Sequence, residues 1–394
     1  MPTNSKLFNS FSNPTKEQWL EKITRDLKGK PLEELEWQLE EHIRVAATYG
    51  NEDDLNKKPT LNSGRNNNSW SIGEYLFVRD PKEANTQALE GLQGGVNAPL
   101  FHLHHLPSRE ELDVLLANIE PSFISIHFAP AYPGKDPAEL FRNLIYYVRR
   151  RNLKLVDIYG SMDFDPLLDW SEPPFTALAR VLKFAQQHTP NFKVLQVNGL
   201  TLHTGIENTS RELALLIAKG VSYLNAMEEQ GIPAAVTNQH LQFSVAISTS
   251  YFVEIAKIRA LKILWANVLN GFGLANESIP PIAAHLAAET QTDQREYNMI
   301  KAATQGMSAI IGGASFLYIP PADLRTKGES SSFTRRIARN VQHLLQMESH
   351  LDQVVDPAAG SYYIEHLTQQ FCEQAWGKFQ QIETQGGFLQ LANL

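Results

Sequence analysis

From Trp70 onward, short apolar runs of strand length alternate with amphipathic stretches of helix length. No other feature of the chain constrains its fold as much. Runs at 96–106, 123–128, 153–159, 192–197, 243–247, 282–288 and 315–319 read as strands. The stretches 139–151, 175–188, 210–230 and 251–269 read as helices. In the last of these Ile255, Ile258, Leu261, Trp265, Val268 and Leu269 share a face, and Glu254 meets Lys257 one turn on. Such alternation demands parallel pairing through right-handed crossovers. Seven strands over about 325 residues suit an enlarged eight-stranded barrel better than an open sheet, with the eighth strand unplaced. The expected class is α/β, a TIM-type (β/α) barrel.

The first fifty residues look helical but do not read as a domain. Thr15 and Gln18 have capping-box spacing, and Trp19, Leu20, Ile23 and Leu27 behind them form one apolar stripe. A stripe on so short a segment needs an external surface to cover it. Residues 51–69 are polar and rich in Asn, and read as an exposed linker. The expected organisation is an extended helical N-terminal arm and linker over 1–69, then the barrel over 70–394.

With 35 Lys+Arg against 43 Asp+Glu, the net charge of −8 argues against a nucleic-acid or anionic-membrane surface. No apolar run approaches the ~20 residues of a membrane span. The N-terminus lacks the apolar core of a signal peptide and the Arg-rich character of a transit peptide. The lone Cys372 builds neither an internal disulfide nor a thiolate metal site. A cytoplasmic protein is expected.

Chemistry-bearing motifs are sparse. His102 and His104 fall on one face of a strand, but without a placed carboxylate they read as strand-end histidines rather than a metal pair. The glycines at 91, 94 and 95 and at 312–313 lack phosphate-loop spacing and read as loop or packing positions. Asp163 and Asp165 are either paired carboxylates or a solvated loop before Pro166. Arg335, Arg336 and Arg339 make a basic patch on a helix, read as a solvent face or subunit contact. His127 and His203 read as hydrogen-bonded barrel or loop residues. Composition and spacing alone stop at an α/β barrel.

Several long stretches resemble the methylmalonyl-CoA mutase family. The run FTRRIARNVQHLLQMESHLDQVVDPAAGSYYIE at 333–365 resembles the family's "RIARN", "ES" and "DP-x-x-GS-x-Y-x-E". YFVEIAKIRALKILW at 251–265 is similar to its "FF-x-E-x-AK-x-RA-x-x-LW", Trp19 to Lys30 to its "EEW…LKGK", and WSIGEY at 70–75 to its "W-T-I-R-Q-Y". The resemblance implies an acyl-CoA barrel preceded by an arm that wraps a partner subunit. Adenosylcobalamin sits on a separate C-terminal domain in active members and supplies the radical that interconverts methylmalonyl-CoA and succinyl-CoA.

The departures from the pattern carry more weight than the matches. No histidine stands in the cobalamin-ligating Asp-x-His-x-x-Gly motif, so the cobalamin domain is expected to be absent and this chain to bind no cofactor. Tyr75 retains the family's tyrosine, but the arginine two positions earlier is Gly73. "S-G-Y-H" becomes Asn198-Gly199-Leu200-Thr201, which puts Thr201 at the catalytic histidine. A further arginine corresponds to His240. "R-T-H-S-Q" aligns with 287–291, keeping only Gln291. No Arg occurs between Asn152 and Ala179, where another is expected, and the Asn and Glu that follow strand 315–319 in the family are not recognisable.

A threonine cannot serve as a cationic donor to a thioester carbonyl, and CoA phosphates need Arg or Lys. No catalytic residue is convincing, and Tyr75 and Gln291 remain the substrate-binding candidates. Tyr75 packing against Phe77 and Gln291 satisfying a strand end are the plain alternatives. The leading expectation is the small, structural subunit of a methylmalonyl-CoA mutase, in a heterodimer whose large subunit carries adenosylcobalamin. A homodimer in isolation is an alternative state. Whether the chain is an enzyme by itself stays open. A catalytic barrel with cobalamin on a separate chain is the second expectation, and a CoA-binding regulatory module the third.

Overall fold

The computed structural model describes residues 15–50, 65–132, 136–169, 173–327 and 330–391. The described part of the arm opens on a helix, Lys16–Asp26, closed by the expected capping box: Gln18 N–H donates to Thr15 Oγ1 at 3.4 Å and Thr15 N–H to Gln18 Oε1 at 3.0 Å. None of its residues is buried, and Trp19, Leu20, Ile23 and Leu27 stay half-exposed. A single 3₁₀ turn, Leu32–Leu35, follows it. Strands β1 (Trp37–Glu40) and β2 (Ile43–Val45) form an antiparallel hairpin, with Leu39, Ile43 and Val45 buried on the body.

Glu40 pins the hairpin to the barrel. It accepts at 2.7 Å from Ser210 N–H, in the first turn of the Thr209–Glu229 helix, and also contacts the Ser210 hydroxyl. That helix has no side-chain cap of its own at Asn208, so the carboxylate satisfies a free N–H at the positive end of the helix dipole. Residues 51–64 of the expected linker lie outside the described residues. At its described end Asn66, Asn67 and Ser69 are exposed, while Asn68 is buried and donates to the Ile310 and Leu351 carbonyls at 2.9 Å each.

The barrel strands are β3 (Ser71–Val78), β4 (Ala98–Leu103), β5 (Ser125–Pro130), β6 (Tyr159–Met162), β7 (Phe192–Lys193), β8 (Leu195–Asn198), β9 (Leu241–Ile247), β10 (Ile282–Leu286) and β11 (Phe316–Tyr318). All pair in parallel, in the order β7-β6-β5-β4-β3-β11-β10-β9-β8. The two ends of this order are consecutive in sequence. β7 and β8 are halves of one bent stretch that pairs with β6 on one side and β9 on the other, so nine segments do the work of eight barrel strands. Gln196 N–H donating to the Phe164 carbonyl at 2.9 Å helps to close the ring.

The unplaced eighth strand is β3. Its position was hidden because both of its faces are filled: Ile72, Leu76 and Val78 are buried on one side while Tyr75 and Phe77 occupy the other. The expected strand at 153–159 is corrected to a short 3₁₀ turn, Leu155–Asp157, followed by β6. Outward strand residues such as Phe101, Phe128, Phe243 and Val245 pack against the helix ring in one continuous apolar core. Trp265 lies so close to Gly220 that a Cβ there would fall 2.5 Å from its ring. Trp265 also donates through Nε1 to Asn238 at 2.9 Å.

Candidate functional site

Strand alternation turns every second residue toward the barrel axis. The inward residues form a cluster separate from the outer core, in which Leu100, Ala283 and Tyr318 are buried with Tyr75, Ala129 and Phe316 against them. Tyr75 Oη lies 2.8 Å from His285 Nδ1. The His285 ring stacks on Tyr318 with centroids 4.8 Å apart, and Tyr75 touches the rings of Tyr318, His102 and Phe77. Deeper, His127 meets Phe316 edge-on at 4.6 Å and bonds through Nδ1 to Ser161 Oγ at 2.8 Å. Rings thus fill the middle of the barrel.

These groups carry no positive charge at neutral pH. Burial, helped by the neighbouring imidazoles His102 and His127, pushes His285 down to about 3. Burial alone takes His127 down to about 3, and burial with nearby His104 takes His102 down to about 4. His240, at one of the family's arginine positions, is buried with Nδ1 2.7 Å from the Phe192 carbonyl and is pushed down to about 4. Burial raises Asp163 to about 7, although its Ser161 hydrogen bond at 3.0 Å pulls the other way. The Tyr75 hydroxyl is pushed well above its ordinary value by burial and the nearby Asp163.

Gly73 explains one departure in atomic terms. A Cβ at this position would overlap the Tyr318 ring and come within 2.6 Å of the Leu317 carbonyl oxygen. The tyrosine from β11 fills the space that a side chain on β3 would need, so the arginine of the family pattern has no room here.

The candidate residues do not converge. Tyr75 faces the axis. Gln291 follows the short turn Ala288–Thr290 beyond β10, its amide 3.4 Å from Thr290 Oγ1 and its carbonyl accepting from Arg325 at 2.6 Å. Thr201 sits in an exposed turn after β8. No hydrogen bond links these three among the described residues, where no group of three or more His, Cys, Asp and Glu could hold a metal ion. The imidazoles His102 and His285 inside the barrel lie against aromatic rings, surroundings that do not fit residues holding a corrin cofactor.

Two expectations about charged residues are corrected. Asp165 is no solvated loop residue: it accepts at 2.7 Å from Lys219 and at 2.8 Å from Asn198 N–H, and bonds the Tyr223 hydroxyl, all in the interior. Arg335 and Arg339 are no solvent face either, for both are buried. Arg339 clamps Glu74 at 2.9 and 3.0 Å, while Arg335 pairs with Glu90; only Arg336 is exposed. The glycine loops are packing positions, as expected: a Cβ at Gly91 would strike the Glu74 carboxylate, and one at Gly312 would fall 2.9 Å from Ile258.

The stretches that carry the family resemblance turn out to hold one another. Arg259 of 251–265 binds Asp356 at 2.8 and 3.0 Å, and Glu365 at 3.0 Å, both in 333–365. Arg339 likewise ties "RIARN" to Glu74 of "WSIGEY". They are ion clusters that tie the frame together across the sequence. Sequence reading missed His285 and Tyr318 on the axis; inward alternation along 282–286 and 316–318 was the signal that could have found them.

The geometry defines a parallel (β/α) barrel whose axis is closed by uncharged rings, beneath a mouth rimmed by polar turns. A family model, Methylmalonyl-CoA mutase, matches residues 107–393. A "Methylmalonyl-CoA mutase small subunit" of Porphyromonas gingivalis is 33% identical over 98% of this chain and 66% of its own length. One of Streptomyces virginiae is 27% identical over 96% of this chain and 65% of its own length. The chain belongs to the methylmalonyl-CoA mutase family. It spans slightly under two thirds of the length of these relatives. Among solved structures, a dihydropteroate synthase from Xanthomonas albilineans covers 73% of this chain and 95% of its own at 14% identity, with a TM-score of 0.38. No helix among the described residues is long and apolar enough to cross a membrane.

Proposed function

We propose that this chain is the structural, non-catalytic partner in a methylmalonyl-CoA mutase heterodimer, supporting a large subunit that carries adenosylcobalamin and does the chemistry. One observation carries the reading: the axis through which an acyl-CoA would thread is filled by Tyr75, His102, His127, His285, Phe316 and Tyr318. Its imidazoles are neutral and offer no charge to a thioester oxygen or a phosphate. Two relatives carry the words "small subunit" in their names, which supports a larger partner.

The arm supplies a docking element of the right kind. Its stripe of Trp19, Leu20, Ile23 and Leu27 is left half-exposed, and a cavity of about 550 Å³ lies between the arm and the body, lined by Trp19, Tyr49 and His366 among others. Co-expression with a cobalamin-carrying large subunit tests the reading. The two should co-elute, and the large subunit should lose stability or turnover without its partner. Separate elution, with a fully active large subunit alone, would overturn it. Turnover of methylmalonyl-CoA by this chain with adenosylcobalamin and an independent cobalamin-domain protein would favour the catalytic alternative, for which Tyr75 on the axis speaks.

A further inference from the structure

At the mouth of the barrel one imidazole lies between two carboxylates on different elements. His203, in the turn after β8, has a side chain only 2% exposed. Its Nδ1 lies 2.8 Å from Glu212 Oε2, in the Thr209–Glu229 helix. Its Nε2 lies 3.0 Å from Glu289 Oε1, in the Ala288–Thr290 turn beyond β10. A neutral imidazole has one N–H and one lone pair, so it can donate to only one of these carboxylates and must repel the other. The arrangement is complete only when both ring nitrogens carry protons.

We propose that His203 is a proton-operated clasp on the barrel rim, holding the Ala288–Thr290 turn to the Thr209–Glu229 helix as an imidazolium and releasing that turn when it deprotonates. The proton leaves from Nε2 to solvent, because Glu289 is exposed while Glu212 is fully buried. The Nδ1–H bond to Glu212 remains in both states. The inference concerns this chain alone and does not depend on the partner reading.

The other charges around the ring are accounted for. Lys257 lies 3.4 Å from Glu212 and 2.7 Å from Glu254, so one buried ammonium serves two buried carboxylates. An imidazolium on the far side of Glu212 brings the positive charges of this buried group to two. The Glu212 hydrogen bond raises His203 above its ordinary value, opposed by burial and by Lys257 and assisted by Glu254. Beyond the turn, Lys301 bonds the Thr290 carbonyl and Arg325 the Gln291 carbonyl. Both contacts hold the far end of the turn whatever the state of His203, so release is confined to its near end.

The sign follows from linkage. With His203 raised in the fold, the clasp is at full strength in mildly acidic solution and is lost as pH rises through the folded midpoint.

The test uses the full chain with isotope-labelled histidine, the His203 ring signal being assigned from its loss in His203→Gln. The ring should titrate above free histidine with both nitrogens protonated below the midpoint. The Thr290 amide, which donates to the Ala287 carbonyl at 3.1 Å, should lose hydrogen-exchange protection across that midpoint after correction for intrinsic rates. Glu289→Gln, a surface change that leaves the fold intact, should lower the midpoint and give weak protection on both sides of it. Titration of His203 at or below the free value would overturn the proposal. So would protection that ignores pH, or a Glu289→Gln protein that keeps the wild-type pH dependence.

Discussion

At Gly73 and Tyr318 two neighbouring positions decide what the barrel can hold. A side chain on β3 and a ring on β11 compete for one volume, and here the ring has it. Gly73→Ala should therefore overpack the axis and cost about 1–3 kcal/mol in urea unfolding, and Tyr318→Phe, which keeps the ring, should not relieve it. The buried imidazoles make a second residue-scale prediction. His102, His127, His240 and His285 are neutral in the fold but bind protons once unfolded, so stability should fall as pH drops below about 6.5. Asp163 and His203 are shifted upward and work against this trend. The four outweigh the two, and unfolding free energy should drop by roughly 2 kcal/mol or more between pH 6.5 and pH 5. Equal stability at the two pH values would mean that the axis histidines are solvated rather than dry.

Among elements, the helix Ser332–His343 is held to the barrel by charge as well as by apolar packing. Glu74 on β3 receives Arg339 and Arg335, and burial raises its carboxyl against both guanidinium groups. Glu74→Gln would leave two guanidinium groups short of a carboxylate and should cost about 3 kcal/mol or more, measured by thermal or urea unfolding. The hairpin latch is weaker and local. Glu40→Ala should speed amide exchange at Ile43 and Val45 while changing global stability by only about 1–2 kcal/mol. These elements also show what the chain discloses by itself. The helix Phe175–His188 was legible to its ends, because one amphipathic pattern is bounded by Pro174 and Thr189. The hairpin was not, since Trp37–Val45 is too short and too charged for a period of two to stand out. The pairing of Arg335 and Arg339 with Glu74 was invisible for another reason: some 260 residues separate the partners, and only the closure of β11 on β3 brings them together. The departure from the family pattern's cationic residues at Gly73 and Thr201 was legible, whereas the aromatic filling of the axis was not, because it is assembled from five strands.

For the molecule as a whole, the axis and the arm make one argument. The barrel fills its own centre with rings and keeps the ion clusters that hold its frame, among them Arg259 with Asp356 and Glu365. What it leaves open is its outside. The arm helix has no buried residue, although it carries a stripe of four apolar side chains, and a helix of 11 residues is too short to persist by propensity alone. If that stripe is covered by a partner subunit, two substitutions separate docking from folding. Trp19→Asp should shift the unfolding transition of the isolated chain little, since no residue of that helix is buried in the body. It should also weaken co-elution with the large subunit at least tenfold, which is about 1.4 kcal/mol of lost contact and modest for a buried tryptophan at an interface. Leu39→Asp, on the buried side of the hairpin, should instead destabilise the isolated chain before any partner is added. Were Trp19→Asp to leave the complex as tight as before, the arm would be ornament to the assembly, and the partner would have to grip the barrel elsewhere, for instance on the exposed Tyr297, Ile300, Leu344 and Met347 of its helix ring.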